Sequence, residues 1–455
     1  MPNILYSSTS LKAPAVNFGE ALLKGLAPDG GLYMPQHIPQ LSRAEIDRFA
    51  QMDYHQIAFE VLNKFLHQEI PADELARMTR EAYNFEVPLE KVYDRKYIMR
   101  LDQGPTASFK DFAARMMGQL MEYYLEKSGK HLLILTATSG DTGSAMANAF
   151  HGLERIEICI LFPEKEVTER QRKQMTTLHG NVSILALDGK FDDCQALVKD
   201  AFNDKELEYL NLSSANSINI GRLLPQSVYY FWAYSRLCRI SQNEEIVFSV
   251  PSGNFGDLMG GLLAKQMGLP VKKFVVATND NDEVPLYLQT GKYATINPSK
   301  ACISSAMNVG HPSNMARVVA LYGGEMNPSG QILKNPDLET LRADLFAVSV
   351  NDANTREAIR RVYERHQVLL EPHGAVGWEG LRQYLSNQKD IDNNQCCVCL
   401  ETAHPAKFPQ EIQHVLNIEP ELPESLLHLE AKEERFDKIN TNYSAFKQYL
   451  KAHYS

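Results

Sequence analysis

An apolar strand that ends in a glycine-containing turn and continues as a helix occurs twice in this sequence. This pattern limits the fold more than any other feature. Residues 131–138 (HLLILTAT) lead into SGDTG and then into the helix formers of SAMANAF. Residues 244–250 (EEIVFSV) lead into PSGNFGD and then into LMGGLLAKQMG. Strands that alternate with helical stretches are typical of α/β architecture, so we predict an α/β fold with parallel sheets.

The chain divides into four predicted regions. Two further strands are predicted at VKKFVVATN (271–279) and NQCCVCLET (394–402), whereas the first ninety residues carry mostly helical patterns. A chain of 455 residues has room for two or three domains at roughly 100–200 residues each. We predict a mostly helical region at 1–90, a smaller α/β part at 91–235 with Lys110 and the SGDTG loop, a larger α/β part at 236–420 with the PSGNFGD loop, and a helical tail at 421–455.

The charge and the cysteine content disfavour several classes of partner and location. The formal net charge is −10, from 46 Lys and Arg against 56 Asp and Glu, which disfavours nucleic acid and anionic membranes as partners. The sequence has no apolar run of about 18 residues, and its start, MPNILYSSTSLKAPAV, does not resemble a signal peptide. The seven cysteines, few and odd in number, favour a reducing cytosol. We therefore expect a cytoplasmic protein.

Three clustered cysteines, Cys396, Cys397 and Cys399, raise the question of a metal site. They lie in QCCVCL, an apolar run typical of a buried strand. Neighbouring side chains on a strand point to opposite faces, so Cys396 and Cys397 would not converge on one ion. We predict core cysteines and no metal.

Lys110 is the first candidate for chemistry. From Phe109 onward apolar residues recur at helical spacing, and Ser108 is placed to cap the helix, which puts Lys110 in its first turn. The helix dipole and burial both favour the neutral amine there. A neutral lysine amine can form an imine with an aldehyde. The alternative is a surface lysine paired with Asp111, which is the commoner situation for a lysine considered alone.

Two loops are candidates for binding anions. SGDTG (139–143) lies between a buried strand and a helix, and its small residues leave backbone N–H groups accessible at the helix N-terminus. PSGNFGD (251–257) lies at a similar junction, where Gly253 and Gly256 permit close approach of a phosphate. It matches neither the nucleotide P-loop nor the G-x-G-x-x-G dinucleotide turn. Each loop alone is more often a turn without a ligand.

One lysine at a helix start and two anion-binding loops together meet the needs of pyridoxal phosphate: an imine partner, a phosphate site and a carboxylate site. At this point the sequence resembles the threonine synthase family. The segments that carry the resemblance occur in that family's order: GPTASFKDFA (104–113), ATSGDTGSA (137–145), NSINIGR (216–222), PSGNFGD (251–257), EPHGAVG (371–377) and TAHPAKF (402–408). YSST (6–9) and GLAPDGGLYMP (25–35) extend the resemblance towards the N-terminus, and the longer bacterial and fungal members are the most similar.

The resemblance implies a fold of the tryptophan synthase β type, known as PLP fold type II, with the cofactor between two α/β domains. It implies that Lys110 binds the cofactor covalently and transfers protons. The other cofactor-binding residues it implies are Asp141, Gly253, Asn254, Phe255, Gly256 and Thr402. The substrate-binding residues it implies are Ser139, Gly140, Thr142 and Gly143 for the carboxylate and Ser217, Asn219 and Arg222 for the phosphate.

Several of these positions carry a more detailed expectation. Thr402 would face the pyridine nitrogen with a hydroxyl, which does not enforce protonation of that nitrogen. Asp141 would lie beside the phenolic oxygen of the cofactor and would have to share a proton with it. Arg222 could meet phosphate oxygens in two parallel hydrogen bonds, although considered alone it is more often a surface salt bridge. His373 and His404 are interpreted as structural, and Glu401 receives no role.

The implied reaction converts O-phosphohomoserine and water into threonine and phosphate, by γ-elimination of phosphate and β-addition of water. The nearest alternative is a phospholyase with the same machinery that releases 2-oxobutyrate, ammonia and phosphate. A catalytically inactive relative that binds pyridoxal phosphate or a phosphorylated ligand is a further alternative, which the presence of Lys110 disfavours. A dinucleotide-binding protein is disfavoured by the missing glycine fingerprint. The resemblance carries the expectation of a monomer, with a homodimer as the alternative.

Overall fold

The structure is a computed structural model that describes residues 3–138, 140–239, 242–388, 394–427 and 429–454. Its strands are β1 (Tyr6–Ser8), β2 (Tyr33–Pro35), β3 (Leu89–Tyr93), β4 (Lys96–Arg100), β5 (Leu132–Ala137), β6 (Ile156–Pro163), β7 (Val182–Leu187), β8 (Leu212–Ser213), β9 (Ile246–Pro251), β10 (Val271–Thr278), β11 (Glu325–Met326), β12 (Ile332–Lys334), β13 (Leu345–Ser349), β14 (Cys397–Glu401) and β15 (Asp437–Ile439). Its helices are α1 (Phe18–Lys24), α2 (Arg43–Arg48), α3 (Tyr54–Leu66), α4 (Ala72–Ala82), α5 (Lys110–Ser128), α6 (Asp141–Phe150), α7 (Glu169–Thr176), α8 (Phe191–Asn203), α9 (Ile220–Leu223), α10 (Val228–Leu237), α11 (Gly256–Gln266), α12 (Glu283–Thr290), α13 (Met315–Leu321), α14 (Leu338–Asp344), α15 (Asp352–His366), α16 (Pro372–Ser386), α17 (Pro409–Leu416) and α18 (Tyr443–His453).

The larger sheet has six strands in the order β13-β10-β9-β14-β4-β3. All neighbours are parallel except β3, which pairs with β4 in the antiparallel sense. Every residue of β9 and of β14 is buried. Strands in the middle of a parallel sheet are covered on both faces, which explains their continuous apolar sequences.

The smaller sheet has five strands in the order β15-β7-β6-β5-β8, and all of its neighbours are parallel. All six residues of β5 are buried, as expected for the apolar run that precedes SGDTG. The parallel α/β architecture predicted from the sequence is therefore confirmed in both sheets.

The structure differs from the predicted regions in two segments. Residues 96–100 fall within the predicted smaller part, but β4 pairs with β14 and so belongs to the larger sheet. The tail at 421–455 was predicted as helical; it contains α18 and also β15, which pairs with β7 of the smaller sheet. Hydrogen-bond partners far apart along the chain decide these pairings, and local patterns carry no information about such partners.

The N-terminal region contains α1–α4 and also the antiparallel pair of β1 and β2. Further on, the run with three cysteines forms β14, as predicted, and Cys396, Cys397 and Cys399 are buried. Within the described ranges, no group of three or more His, Cys, Asp and Glu side chains is arranged to hold a metal ion. None of the helices in those ranges is both long and apolar enough to cross a membrane.

Candidate active site

Three strands, β5 of the smaller sheet and β9 and β14 of the larger sheet, end directly before segments that carry candidate residues. The chain leaves β5 towards α6, leaves β9 towards α11, and leaves β14 at Thr402. In parallel α/β proteins, ligands bind at the carboxyl ends of the strands. The charges of Asp141, Arg222, Glu371 and Lys407 all act on the amine of Lys110, so the structure brings these segments together around that amine.

Lys110 is the first residue of α5, so its predicted place in the first helical turn is confirmed. The predicted cap is wrong, because within the described ranges the buried Ser108 hydroxyl has no hydrogen-bond partner. The helix start is held by the backbone instead. The Phe109 N–H donates to the Thr402 carbonyl (2.9 Å), and Ser108 forms a β-bridge with Ala403. The TAHPAKF segment, which begins 292 residues after Lys110, thus positions that lysine.

The surroundings of the Lys110 amine favour its neutral, nucleophilic form. Lys110 as a whole is half-buried, yet burial of its amine lowers the pKa of that amine to about 8. Asp141 and Glu371 act against this shift, whereas Lys407 and Arg222 add to it. The amine is therefore neutral in a larger fraction of molecules near neutral pH than an ordinary lysine would be. The alternative of an ion pair with Asp111 is wrong, because the Asp111 carboxylate accepts hydrogen bonds from the Thr106 N–H and hydroxyl.

The SGDTG loop is held by a side chain of the preceding strand end. Ser139, predicted to bind the substrate, lies outside the described residues. The Thr138 hydroxyl oxygen accepts hydrogen bonds from the N–H groups of Gly140 (3.0 Å) and Gly143 (2.8 Å). In the part of the loop that the structure describes, the N–H groups of residues 141–142 donate no hydrogen bond.

Asp141 is buried and forms an ion pair that the sequence did not reveal. Its Oδ1 lies 2.7 Å from Lys407 Nζ and accepts a hydrogen bond of 2.8 Å from Gln171 Nε2. Burial alone would raise the pKa of Asp141, but the charges of Lys407 and Lys110 and two hydrogen bonds hold it well below its ordinary value. Asp141 is thus ionised and already neutralised by a cation. Lys407 lies within the TAHPAKF segment, so its place in that motif was the available signal.

The PSGNFGD loop has the features of a phosphate site. Phe255 has φ +61° and precedes α11, whose first turn has no side-chain cap. Among the described residues, no hydrogen bond is donated by the N–H groups of residues 253–256. A Cβ atom on Gly253 would lie 2.8 Å from the Ala306 carbonyl oxygen, so only glycine fits there. Uncapped N–H groups at a helix N-terminus attract an anion.

Arg222 is a buried guanidinium, so the surface salt bridge that is commonest for an arginine is wrong here. The residue is 3% exposed, and its Nη1 donates to the Ala215 carbonyl at 2.9 Å. Its Nε has no hydrogen-bond partner, and no carboxylate of the described chain forms an ion pair with it. Burial lowers the pKa of Arg222 to about 10, which still leaves it charged at neutral pH. A buried cation without a counter-ion favours the binding of an anion.

The remaining residues of NSINIGR have different environments. Asn219 caps α9 with its Oδ1 and donates both amide protons to the carbonyls of Leu22 and Ser214. These hydrogen bonds use both amide protons of the side chain, and the role of Asn219 as a phosphate ligand stays a prediction. Ser217 lies 3.2 Å from Ser313, hydroxyl to hydroxyl.

Ser313 connects this segment to the phosphate loop. Its hydroxyl lies 3.3 Å from Asn254 Oδ1, so Ser217, Ser313 and Asn254 form one chain of polar groups. Sequence reasoning missed Ser313, which occurs in HPSN (311–314), a turn-like segment outside the signature segments.

A second buried acidic group lies beside Thr402. The Thr402 hydroxyl donates to Glu371 Oε1 at 3.3 Å, and the Glu371 N–H donates to Glu401 Oε1 at 2.7 Å. Burial, reinforced by the charge of Glu371, raises the pKa of Glu401 well above its ordinary value. Sequence reasoning assigned no role to either glutamate, although Glu371 stands in the EPHGAVG segment.

These features fit pyridoxal phosphate. Lys110 offers an amine with a lowered pKa, residues 253–256 offer four N–H groups at a helix N-terminus, and Thr402 and Asp141 are polar groups near Lys110. Gly253 lets the loop pack directly against the backbone of Ala306, where a Cβ atom would clash. The residues present can therefore hold this cofactor.

Three family profiles match the chain. The family described as "Threonine synthase N terminus" matches residues 5–83, and that described as "Pyridoxal-phosphate dependent enzyme" matches residues 87–402. The family described as "Threonine synthase, C-terminal" matches residues 374–450. The matches follow one another in the order that the signature segments predict.

Individual relatives agree with these matches. The threonine synthase of Escherichia coli (strain K12) is 40% identical over 412 residues, covering 90% of this chain and 91% of that protein. The threonine synthase of Buchnera aphidicola subsp. Acyrthosiphon pisum is 39% identical over 439 residues, covering 96% of each. The solved structure of PLP-bound threonine synthase from Brucella melitensis superposes with a TM-score of 0.92 at 36% identity, covering 99% of this chain and 100% of that one. The fold expected from the sequence resemblance is thereby confirmed.

Proposed function

This chain belongs to the threonine synthase family of pyridoxal-phosphate-dependent enzymes, and from that premise we propose that it converts O-phosphohomoserine and water into threonine and phosphate. The observation that carries the proposal is the position of Lys110. Its amine has a pKa of about 8, and the charges of the buried Arg222 guanidinium and of the Asp141–Lys407 pair both act on it. A nucleophilic amine beside an uncompensated buried cation suits a substrate that is both an amine and a phosphate ester.

Pyridoxal phosphate, when bound, supplies an aldehyde for covalent attachment and a ring that withdraws electrons from the reacting carbons. Lys110 would hold the aldehyde, and the N–H groups of residues 253–256 would hold the phosphate, with Asn254 and Ser313 beside them. Asp141 would lie beside the phenolic oxygen of the ring, and Thr402 would face the ring nitrogen.

Lys110 carries the proton transfers of the proposed reaction. Once released from the cofactor, its neutral amine can take the proton from Cα and then serve at Cβ. A positioned general base contributes typically 10²–10⁴-fold to a rate. The lowered pKa matters here, because an amine that stayed fully protonated could not accept the first proton.

The substrate's own phosphate leaves from Cγ, and Arg222 is placed to bind it. Its free Nε and its lack of a carboxylate partner leave the guanidinium available for an oxyanion. Ser217 and Ser313 can add hydroxyl donors. The substrate carboxylate fits the N–H groups of residues 141–142 and the side chain of the partly exposed Thr142. Ser139, Gly140 and Gly143 remain predicted parts of that loop, with two of their N–H groups held by Thr138.

Asp141 and Lys407 act as one neutral unit in this proposal. The sequence led us to expect that Asp141 must share a proton with the phenolic oxygen of the cofactor. The ion pair with Lys407 offers another solution, because the lysine supplies the positive charge that two neighbouring anionic oxygens require. Lys407 also donates to the Thr106 carbonyl at 2.8 Å, which ties the pair to the segment before α5.

Product analysis of the purified protein with O-phosphohomoserine and pyridoxal phosphate tests the proposed reaction. We expect threonine and phosphate in equal amounts, with a loss of at least about 10²-fold in Lys110→Ala. Lys130→Ala, which removes an exposed lysine after α5, is the matched control and should behave as the unsubstituted protein. Phosphate with 2-oxobutyrate and ammonia would identify the phospholyase instead. A protein that binds the cofactor without any turnover would be a binding protein.

The remaining proposals concern assembly and location. The enzyme acts on a small-molecule substrate, and the net charge of −10 supports our inference that nucleic acid and anionic membranes are not partners. We further propose a monomer, with a homodimer as the alternative, which light scattering coupled to size-exclusion chromatography would distinguish. The seven free cysteines support a cytoplasmic location, since thiols stay reduced there.

A further inference from the structure

Glu371 is surrounded entirely by hydrogen-bond donors. Its Oε1 accepts from the Gly374 N–H (2.9 Å) and the Thr402 hydroxyl (3.3 Å). Its Oε2 accepts from the His373 N–H (2.8 Å) and lies 2.5 Å from His373 Nδ1. Four donors converge on two oxygens, so the carboxylate acts only as an acceptor.

The ring of His373 supports that assignment. The Ala306 N–H donates to His373 Nε2 at 3.0 Å, so Nε2 carries a lone pair and the ring proton is on Nδ1. That proton points at Glu371. The histidine is thus a further neutral donor to the carboxylate.

The ionisable groups near Glu371 include Lys110, on whose amine its charge acts, and Glu401, whose pKa it raises. The Glu401 carboxyl, which is fully buried, accepts the Glu371 N–H, and the charges of Arg100 and Asp102 act on Glu401. Arg100 and Asp102 pair with each other at 2.8 Å. On the side that faces Glu371, the Thr402 hydroxyl therefore lies against a hydrogen-bond acceptor.

A hydroxyl has one proton, and the Thr402 hydroxyl donates it to Glu371. The hydroxyl can then only accept from a group on its other side. In the proposed function, the ring nitrogen of pyridoxal phosphate faces Thr402. If that nitrogen carried no proton, its lone pair would face a lone pair of the Thr402 hydroxyl oxygen.

We infer that Glu371 acts through the Thr402 hydroxyl as a positioning residue that keeps a proton on the ring nitrogen of the bound cofactor. The inference rests on the proposed function, since it takes Thr402 to face that nitrogen. It reverses the expectation from the sequence, in which a hydroxyl at residue 402 does not enforce protonation. The only bond formed is the N–H bond of the ring nitrogen, whose proton is taken from solvent when the cofactor binds. A protonated ring withdraws more charge from the reacting carbons than a neutral ring does.

A simpler account is that Glu371 only caps α16, whose first N–H groups it accepts. The two accounts differ in what the ring nitrogen experiences. Loss of a helix cap changes stability and leaves the ring nitrogen as it was. Loss of the acceptor behind Thr402 frees the hydroxyl to donate to the ring nitrogen and removes the reason for protonation.

The test is ¹⁵N NMR of the holoenzyme reconstituted with pyridoxal phosphate labelled at the ring nitrogen. We expect the unsubstituted protein to show the chemical shift of a protonated ring. Glu371→Gln and Thr402→Val should move it to the shift of an unprotonated ring, and Thr402→Ser should restore it. Glu401→Gln is the matched control and should leave the shift in place, because a carboxyl with a strongly raised pKa is already neutral.

Each outcome decides the inference. An unprotonated ring in the unsubstituted protein overturns it and leaves the proposed reaction intact. A protonated ring that persists in both Glu371→Gln and Thr402→Val also overturns it and supports the capping account. If Glu371→Gln does not fold, the Thr402→Val and Thr402→Ser pair decides alone. A protein that fails to bind the labelled cofactor overturns the proposed function together with the inference.

Discussion

The site contains two buried acidic groups, Asp141 and Glu401, and they differ in the ionisable group beside the carboxyl. Asp141 is 5% exposed and Glu401 is 0% exposed, so burial is nearly the same. Asp141 has the Lys407 ammonium at 2.7 Å, whereas Glu401 has a second glutamate, Glu371, whose N–H it accepts. The pKa of Asp141 is lowered and that of Glu401 is raised.

The comparison shows that burial alone does not decide whether a carboxyl group in this site is charged. Removing water disfavours the charged form at both sites, and the nearest ion then decides the outcome. The Asp141 side keeps a permanent negative charge balanced by a lysine. The Glu401 side keeps one neutral carboxyl beside an acceptor, which is the arrangement that orients Thr402.

Lys407→Met tests the Asp141 side and should have the largest effect. It leaves a buried carboxylate without its cation, and breaking a buried pair in this way costs about 3–5 kcal/mol. Urea unfolding followed by circular dichroism would measure the loss. The double variant Lys407→Met/Asp141→Asn should recover most of it, because no unpaired charge remains. Equal stabilities of the single and double variants would contradict the importance of the pair.

Gly374→Ala tests the packing on the Glu401 side. A Cβ atom at residue 374 would lie 1.6 Å from Glu401 Oε2, so the carboxyl has to move. Forcing extra atoms into a packed site costs typically about 1–3 kcal/mol. Adding Glu401→Ala should relieve the clash and return part of the lost free energy of unfolding. A Gly374→Ala protein as stable as the unsubstituted one would show that the two groups are not in contact.

Glu401→Gln tests the sign of the pKa shift. A carboxyl whose folded-state pKa is raised contributes stability that is fully present below its unfolded value of about 4.3 and is lost as pH rises towards the folded value. The unsubstituted protein should therefore lose up to about 1.4 kcal/mol per pH unit above that point through this group. The Gln variant should lack this decline. Unfolding free energies measured from pH 4.5 to 8 would compare the two, and parallel curves would contradict the raised pKa.

The smallest expected effect concerns Lys110 itself. Asp141 raises its pKa and Lys407 lowers it, so removing both charges should largely cancel. In Lys407→Met/Asp141→Asn, the pH midpoint for covalent binding of pyridoxal phosphate to the apoenzyme should stay within about one unit of that in the unsubstituted protein. Absorbance of the bound cofactor gives this midpoint. A larger shift would show that the pair does not act as a neutral unit towards Lys110.

Much of the site was predictable because it is built from local backbone patterns. The strand–turn–helix segments correctly located both loops, and helical spacing correctly placed Lys110 in the first turn of its helix. Predictions about single polar side chains were less successful. Ser108 has the residue type of a helix cap, yet its hydroxyl caps nothing. Asn219 has the residue type of a phosphate ligand, yet its side chain bonds to two carbonyls and to the start of α9. A residue type states which hydrogen bonds are available and leaves their partners open.

The sequence by itself determined the α/β class and located the strand–turn–helix segments of the site, because apolar periodicity and glycine-containing turns act over a few neighbouring residues. The family followed from the resemblance of its signature segments. Only the tertiary structure decided which charges meet. Lys407 reaches Asp141 across 266 positions, and Thr402 meets Glu371 across 31. The physical reason is that a buried ionisable group takes its charge state from neighbours within a few ångströms in space. Those neighbours arrive from other strands and helices, so their effect exists only once the chain has folded.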